Sequence, residues 1–493
     1  MLAVVPARGG SVGVPRKNLR NLAGKPLILH LLDTLARVPE ITRTVVSTDD
    51  PDIASFCCTR GHDVIDRPAH LAEPDVPVAQ VAVHAVEHEN WYGPVGVFQP
   101  TSPTLQAETV SDAIKTFNSS GDASLCSVVG DAHLLWDACG PLHSARANRQ
   151  HLEPFWRETG GIQLARAVPV GDLDPLVGHP HQLYPLPADQ AVDIDTPDDL
   201  AWAERILNRQ RVHFVLTAGD VTGSGHVHRC LALADELFGH ECTFSFAPEG
   251  TTWAWALVQS RGYNLGEPDL SSADLIVFDR LDTPMEAVAK IKAQGLPVVC
   301  LEDLGPGSDA ADLVVNELYA DMRPYVLSGP RYAVLRPEFL CGPQFKLREK
   351  ADRVLVTFGG TDPSRLNDRV SIISRREAKV RVLEQGEPVA EAMLSADLVL
   401  TSAGRTVHEA AALGVPCISI AANERESRHS HCAGVLRLGL HAVLSNDQIQ
   451  EAVHRVLKDT GLRSEMSETS RAQVDGLGAR RIVHRMNGLL EGL

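Results

Sequence analysis

Short apolar runs alternate with amphipathic stretches along the chain, and a polar segment at residues 207–211 interrupts the alternation. In the first half, residues 2–5, 44–47, 95–98 and 125–129 are apolar runs of strand length, rich in valine and leucine. They read as strands buried on both faces. Residues 27–37 and 76–88 between them place apolar side chains at helical spacing. The pattern restarts after the polar segment with a strand at 213–217, a glycine-bearing loop at 218–225 and a helix at 226–238. Strand–helix alternation predicts an α/β fold with mostly parallel sheets covered on both faces. Ligands in such sheets lie outside the carboxyl ends of the strands.

A chain of 493 residues is long enough for about two or three domains. The pattern divides it into 1–207, 208–341 and 342–493. A net charge of −17, with no Lys/Arg run, argues against nucleic acid or an anionic membrane as partner. No apolar stretch approaches the roughly 20 residues needed to span a bilayer, and the first residues show no charged n-region or cleavage site, so secretion is not expected. The ten cysteines are scattered, most within apolar runs, and Cys57-Cys58 lacks metal-site spacing. They read as reduced core thiols of a cytoplasmic protein.

Against that acidic background the first 32 residues carry Arg8, Arg16, Lys17, Arg20 and Lys25 and no acid before Asp33. Arg8, Gly9, Gly10, Ser11, Val12, Gly13, Val14, Pro15, Arg16, Lys17 and Asn18 directly follow the first predicted strand. Glycines allow the backbone to approach a ligand, and backbone N–H groups backed by Arg and Lys make a cradle for phosphates. A generic turn with solvated charges is the plainer alternative.

Further on, Asp193-Ile194-Asp195-Thr196-Pro197-Asp198-Asp199 places two carboxylates at alternate positions of an extended segment, on one face. Like charges so placed call for a cation between them, and Mg²⁺ takes carboxylates together with substrate phosphates. Thr196 and Pro197 read as the cap and first residue of a helix, with Asp198 and Asp199 complementing its dipole. After Val45-Val46-Ser47, Thr48 or Asp49 is positioned to cap the next helix.

The stretch from Pro6 to Asn18 resembles the first signature of the acylneuraminate (CMP-sialic acid) cytidylyltransferases, departing from it at Val12, which replaces a lysine, and at Val14, which replaces an isoleucine. Arg67-Pro68-Ala69-His70-Leu71-Ala72 and Gln99-Pro100-Thr101-Ser102-Pro103 also match that family. The match at 148–163 is looser, with Thr159 in place of an asparagine. The resemblance implies a Rossmann-like nucleotidyltransferase domain and a homodimer that takes CTP and a nonulosonate sugar. Arg8 and Lys17 would neutralise the triphosphate beside Gly9, Gly10, Ser11, Asn18 and Arg67. Ser47 and Asp49 would lie near the nucleotide, and Gln99 and Ser102 would face the sugar. Asp193 and Asp195 would hold Mg²⁺.

In the second half, Gly223-Ser224-Gly225-His226-Val227-His228-Arg229 puts His226 and Arg229 one turn apart on a helix start. A helix N-terminus favours the neutral imidazole that a base requires. With Leu301-Glu302-Asp303-Leu304, residues 329–339, the loop around Gly360 and the stretch from Ala396 to Thr406, this half resembles the nucleotide-sugar hydrolases of pseudaminic acid synthesis. Those enzymes are relatives of two-Rossmann-domain glycosyltransferases. The resemblance implies a two-lobed, GT-B-like module, His226 as the base that activates water, and a diphosphate facing Ser402, Gly404 and Thr406. Arg229, Gly360, Glu409 and Asn423 would line the UDP-sugar site. Departures are Leu281 in place of a tyrosine, Ala422 and Glu424 flanking Asn423, and a shortened stretch between 360 and 396. Three readings of this half follow: an active UDP-sugar hydrolase, a non-catalytic nucleotide-sugar-binding module, or a glycosyltransferase.

Overall fold

The computed structural model describes every residue except 12, 144–145, 167–175, 177, 218–223, 248–250, 268, 341–342, 359–364, 385, 431 and 492–493. Val12, Gly223 and Gly360 therefore lie outside the described residues. The chain divides into two compact units, Met1–Arg209 and Gln210–Leu493. Both are α/β, and the second is built from two separate parallel sheets.

The first unit holds β1 (Leu2–Pro6), β2 (Arg43–Thr48), β3 (Asp63–Asp66), β4 (Val95–Val97), β5 (Ser124–Asp131), β6 (Phe155–Ala165) and β7 (His181–Pro185). Their order across the sheet is β7-β5-β6-β4-β1-β2-β3. Only β6 runs antiparallel to its neighbours, β4 and β5. The continuous apolar run of β1 is explained by its two faces. Ala3 and Val5 pack with Ile28, Leu31, Ile114 and Phe117, whereas Leu2 and Val4 pack with Ala82 and Ala85 on the other side.

Two local expectations are corrected. The helix Pro51–Cys58 is capped by Asp50, not by Thr48 or Asp49; Asp50 Oδ1 accepts from the N–H groups of Asp52 at 2.8 Å and Ile53 at 3.2 Å. Pro51 fixes the first helical position and so sets the cap one residue later than the end of the strand suggests. Residues 191–195 belong to no strand. Ile194 N–H donates to Thr101 O at 2.9 Å, so the segment runs beside the 99–102 loop. Thr196 does cap the helix Pro197–Leu207. Asp199 completes a capping box, its carboxylate accepting from Thr196 N–H at 2.8 Å and Asp195 N–H at 3.1 Å.

The first sheet of the second unit comprises β8 (Arg211–Leu216), β9 (Glu241–Phe246), β10 (Asn264–Leu265), β11 (Leu275–Asp279), β12 (Val298–Leu301), β13 (Leu313–Asn316) and β14 (Val326–Ser328), in the order β10-β9-β8-β11-β12-β13-β14. The second comprises β15 (Arg353–Thr357), β16 (Lys379–Val382), β17 (Leu398–Ser402), β18 (Cys417–Ala421) and β19 (Val435–Leu440), in the order β16-β15-β17-β18-β19. The C-terminal helix Gly478–Leu490 returns to the first sheet, where Ile482 and Met486 share a core with Phe214, Val227 and Phe244.

All described cysteines are free thiols, and all but Cys58 and Cys139 are buried. No helix among the described residues is long and apolar enough to cross a membrane.

Candidate functional site

In the first unit the glycine loop after β1 lies between two acidic segments. Gly9 N–H donates to Asp49 Oδ1 at 3.1 Å, and a Cβ on Gly9 would sit 2.6 Å from Asp50 Oδ2. A Cβ on Gly13 would fall 2.0 Å from the carbonyl oxygen of Asp195, so only glycine permits this approach. Lys17 Nζ donates to Ile194 O at 2.5 Å and to Asp195 Oδ1 at 3.2 Å. Asn18 Nδ2 donates to Arg8 O at 3.1 Å and holds the loop's start. Among the described residues, Arg8 has no carboxylate partner. Gly10 is exposed, and Ser11 N–H turns back to Gly9 O at 3.0 Å.

Ser47 is buried and is held by Arg67, whose Nε donates to Ser47 Oγ at 3.1 Å and whose Nη2 donates to Ser47 O at 2.6 Å. Burial lowers the Arg67 pKa to about 10, with Asp49 opposing the shift. Arg67 thus shapes the rim through Ser47.

Gln99 and Ser102 meet the irregular part of β6. The register of β6 against β5 shifts between Glu158 and Gln163. At this bulge a Cβ on Gly160 would lie 3.0 Å from Gln99 Nε2, and one on Gly161 would lie 3.1 Å from Ser102 Oγ. Ser102 Oγ is buried with no hydrogen-bond partner among the described residues. Thr159 is turned inward, its Oγ1 sharing a hydrogen bond with Ser127 Oγ at 2.6 Å. The structure therefore brings Gln99, Ser102 and 158–163 together, as one patch.

Burial raises the Asp193 carboxyl above its ordinary range, and the Asp195 charge adds to the shift while Lys17 opposes it. That repulsion, beside a lysine bound to the other carboxylate, suits a divalent cation held by Asp193 and Asp195 with substrate oxygens completing its shell. Among the described residues no group of three or more His, Cys, Asp or Glu side chains is placed to hold a metal by itself.

In the second unit, the candidate residues line the carboxyl edge of the first sheet. His226 lies near the start of the helix Gly225–Glu236 that follows β8, Asp279 ends β11, Glu302 follows β12 and Glu317 follows β13. His226 Nδ1 is hydrogen-bonded to Asp279 Oδ1. Arg229 straddles the same carboxylate, donating from Nε to Oδ2 at 2.8 Å and from Nη2 to Oδ1 at 2.6 Å. Its Nη1 donates to Glu317 Oε1 at 3.2 Å. Burial alone would raise the Asp279 carboxyl, but Arg229 and then His226 hold it well below the usual carboxylate range. An ionised Asp279 can only accept, so the proton of this hydrogen bond lies on His226 Nδ1.

Arg405, in the loop between β17 and the helix Thr406–Leu413, reaches the same cluster. Its Nε pairs with Glu317 Oε1 at 2.9 Å, and its Nη1 donates to Gly225 O at 2.8 Å. The helix Thr406–Leu413 has no side-chain cap, and backbone carbonyls of the loop take its first turn: Val407 N–H donates to Gly404 O at 3.2 Å and His408 N–H to Arg405 O at 2.8 Å, beside Ser402 and Thr406. One loop donor is already taken, since Glu426 Oε2 accepts from Ala403 N–H at 3.2 Å and from Ala422 N–H at 2.9 Å. Glu409 is engaged by Arg336 at 3.0 Å, and Asn423 caps the short helix Glu424–Ser427 by accepting from Glu426 N–H. Sequence reasoning missed Asp279, Glu317, Arg405 and Glu426 as site residues. The available signal for Asp279 was an acid that ends an otherwise apolar strand.

A model of the cytidylyltransferase family matches residues 2–138. The chain is 29% identical to the CMP-N,N'-diacetyllegionaminic acid synthase of Legionella pneumophila, over 42% of this chain and 96% of that protein. It is 25% identical to the spore coat polysaccharide biosynthesis protein SpsG of Bacillus subtilis, over 55% of this chain and 95% of that protein. The second match is longer than the first unit and so extends into the second. The crystal structure of Acinetobacter baumannii MurG aligns with 56% of this chain at 16% identity, with a TM-score of 0.42. Residues 2–138 carry the sequence pattern of the cytidylyltransferase family.

Proposed function

We propose that the first unit transfers CMP from CTP to a sialic-acid-like nonulosonate, as the name of the Legionella relative suggests. The observation that carries this reading is the glycine loop held between Asp49, Asp50 and Asp195, with Lys17 on Asp195. The sugar's anomeric oxygen attacks the α-phosphorus, and the bond to pyrophosphate breaks. The loop's backbone N–H groups, Arg8 and Lys17 offset the charge of the triphosphate, while Gln99 and Ser102 orient the sugar. Asp193 and Asp195 would hold Mg²⁺, which supplies charge neutralisation at the phosphates when bound. Positioning and electrostatics dominate such transfers. The protein acts in the cytoplasm as a homodimer. The test is incubation with CTP, Mg²⁺ and a panel of nonulosonates, with mass detection of CMP-sugars; no product with any of them refutes the reading.

The second unit is a UDP-sugar hydrolase in this proposal, with Nε2 of His226 taking a proton from water while Asp279 holds Nδ1–H. A general base typically contributes about 10²–10⁴ in rate. His226→Ala should therefore lower UDP release at least a hundredfold with UDP-sugar binding kept. The contact of Glu426 with Ala403 N–H favours a second reading, a module that binds a nucleotide-sugar without hydrolysing it. Binding without UDP release by the full chain over hours selects that reading. Release that requires an added acceptor selects a glycosyltransferase.

A further inference from the structure

Around Arg229 the second unit gathers more carboxylates than cations. Asp279 and Glu317 are each paired with a guanidinium, Asp279 with Arg229 and Glu317 with both Arg229 and Arg405. Glu302 adds a third buried carboxyl, 4% exposed, and its nearest cation is Arg229 Nη1 at 3.9 Å.

Its two oxygens are treated differently. Oε1 accepts from the backbone N–H groups of Glu317 and Leu318. Oε2 is buried and has no hydrogen-bond partner among the described residues. The backbone of Glu302 has φ 52°, a left-handed conformation that a non-glycine residue adopts at a local cost. The chain thus spends strain to place an acid at the carboxyl end of β12, on the edge that also carries His226 and Asp279.

We propose that Glu302 is a further ligand-binding residue of the second unit, presenting Oε2–H as a hydrogen-bond donor to an oxygen of the nucleotide-sugar. This rests on the nucleotide-sugar reading of that unit. A carboxylic acid with its carbonyl at Oε1 satisfies both backbone donors and leaves one O–H that needs an acceptor. Burial, followed by the Glu317 charge, pushes the Glu302 carboxyl above its ordinary range, against the opposing pull of Arg229. The groups that face it are Arg229 on the helix 225–236, Glu317 and Tyr319 after β13, and Arg425 on the helix 424–427, whose Nη2 donates to Glu302 O at 3.4 Å. Arg425 is itself paired with Asp282 at 2.8 Å. The phosphate and the sugar of the ligand both offer acceptor oxygens.

The test is titration calorimetry of the full chain with UDP and with UDP-N-acetylglucosamine at pH 6.5 and 9, for wild type, Glu302→Gln and Glu302→Leu. Glutamine keeps a donor at the same place, so affinity should stay within about threefold of wild type at pH 6.5, whereas leucine should lose at least tenfold. Wild-type affinity should fall from pH 6.5 to 9 and that of Glu302→Gln should hold. A loss with UDP itself assigns a phosphate oxygen, and a loss confined to the UDP-sugar assigns a sugar oxygen. Equal binding by Glu302→Leu, or the same pH dependence in wild type and Glu302→Gln, overturns the proposal. Wild-type chain that binds neither probe overturns it together with the nucleotide-sugar reading. A ligand-free check is the infrared difference between wild type and Glu302→Gln at pH 7. A carboxylic-acid carbonyl band supports the proposal, and a carboxylate band refutes it.

Discussion

The two candidate sites handle charge in opposite ways. In the first unit the ion pairs reach solvent: Lys17 meets an Asp195 side chain that is 75% exposed, and Arg16 and Asp52 pair at the surface. In the second unit Arg229, Asp279 and Glu317 are all but sealed from solvent and satisfy one another. In the proposed functions the first arrangement meets a polyanion and a cation, while the second satisfies its charges internally. Substitutions should therefore cost function before stability in the first unit, and stability first in the second.

The largest effect is expected at Arg229. Removing one partner of a buried ion pair leaves uncompensated charge and costs about 3–5 kcal/mol. Arg229→Met should lower the melting of the second unit sharply in calorimetry while CMP transfer persists. Unchanged melting would dissolve the contrast between the units.

Next is Asp195→Asn, which keeps the shape of the first site and removes a charge. A loss of about 10²–10³ in turnover is expected, with stability changed by no more than about 0.5 kcal/mol. Near-normal turnover at limiting Mg²⁺ would remove the metal assignment.

A smaller effect concerns pH. The Glu302 carboxyl is raised in the folded chain, so the folded state binds the extra proton from about pH 4.3, the ordinary glutamate value, upward. Stability falls as pH rises through that window. Glu302→Gln lacks this term, so its melting temperature should gain on wild type between pH 5 and 8.5. Asp279 is depressed instead, so its contribution is present above about pH 3.9 and lost only as pH falls through its lower folded value. A constant gap between variant and wild type over pH 5–8.5 would contradict the shift.

The smallest effect is expected at the exposed Arg16–Asp52 pair. Surface ion pairs contribute about 0.2–1 kcal/mol, so Arg16→Ala should barely move the melting of the first unit. A drop of several kcal/mol would mean that the first site is as internally braced as the second.

Much of the fold was legible because the central strands are buried on both faces. The apolar run at 2–5 feeds two cores at once, and the run at 275–279 behaves likewise. The glycine loop and the Thr196-Pro197 helix start were legible because each depends on local backbone chemistry. What the sequence hid was long-range. Asp193 and Asp195 look like a strand end, yet their segment joins no sheet and runs along the 99–102 loop instead. Arg405 meets Gly225 and Glu317 across long separations, so no local spacing predicts that it braces the helix carrying His226. Glu302 was visible only as part of the Leu301-Glu302-Asp303-Leu304 segment, with no role of its own; its left-handed backbone and orphaned oxygen arise from packing.

The most direct test of the central claim is product analysis with the intact chain. CTP, Mg²⁺ and each of a panel of nonulosonates are supplied, and CMP-sugar and pyrophosphate are quantified together. The account predicts equal amounts of the two products with at least one nonulosonate, and their loss in parallel in Asp195→Asn. A chain that binds CTP yet forms no CMP-sugar with any nonulosonate would contradict it.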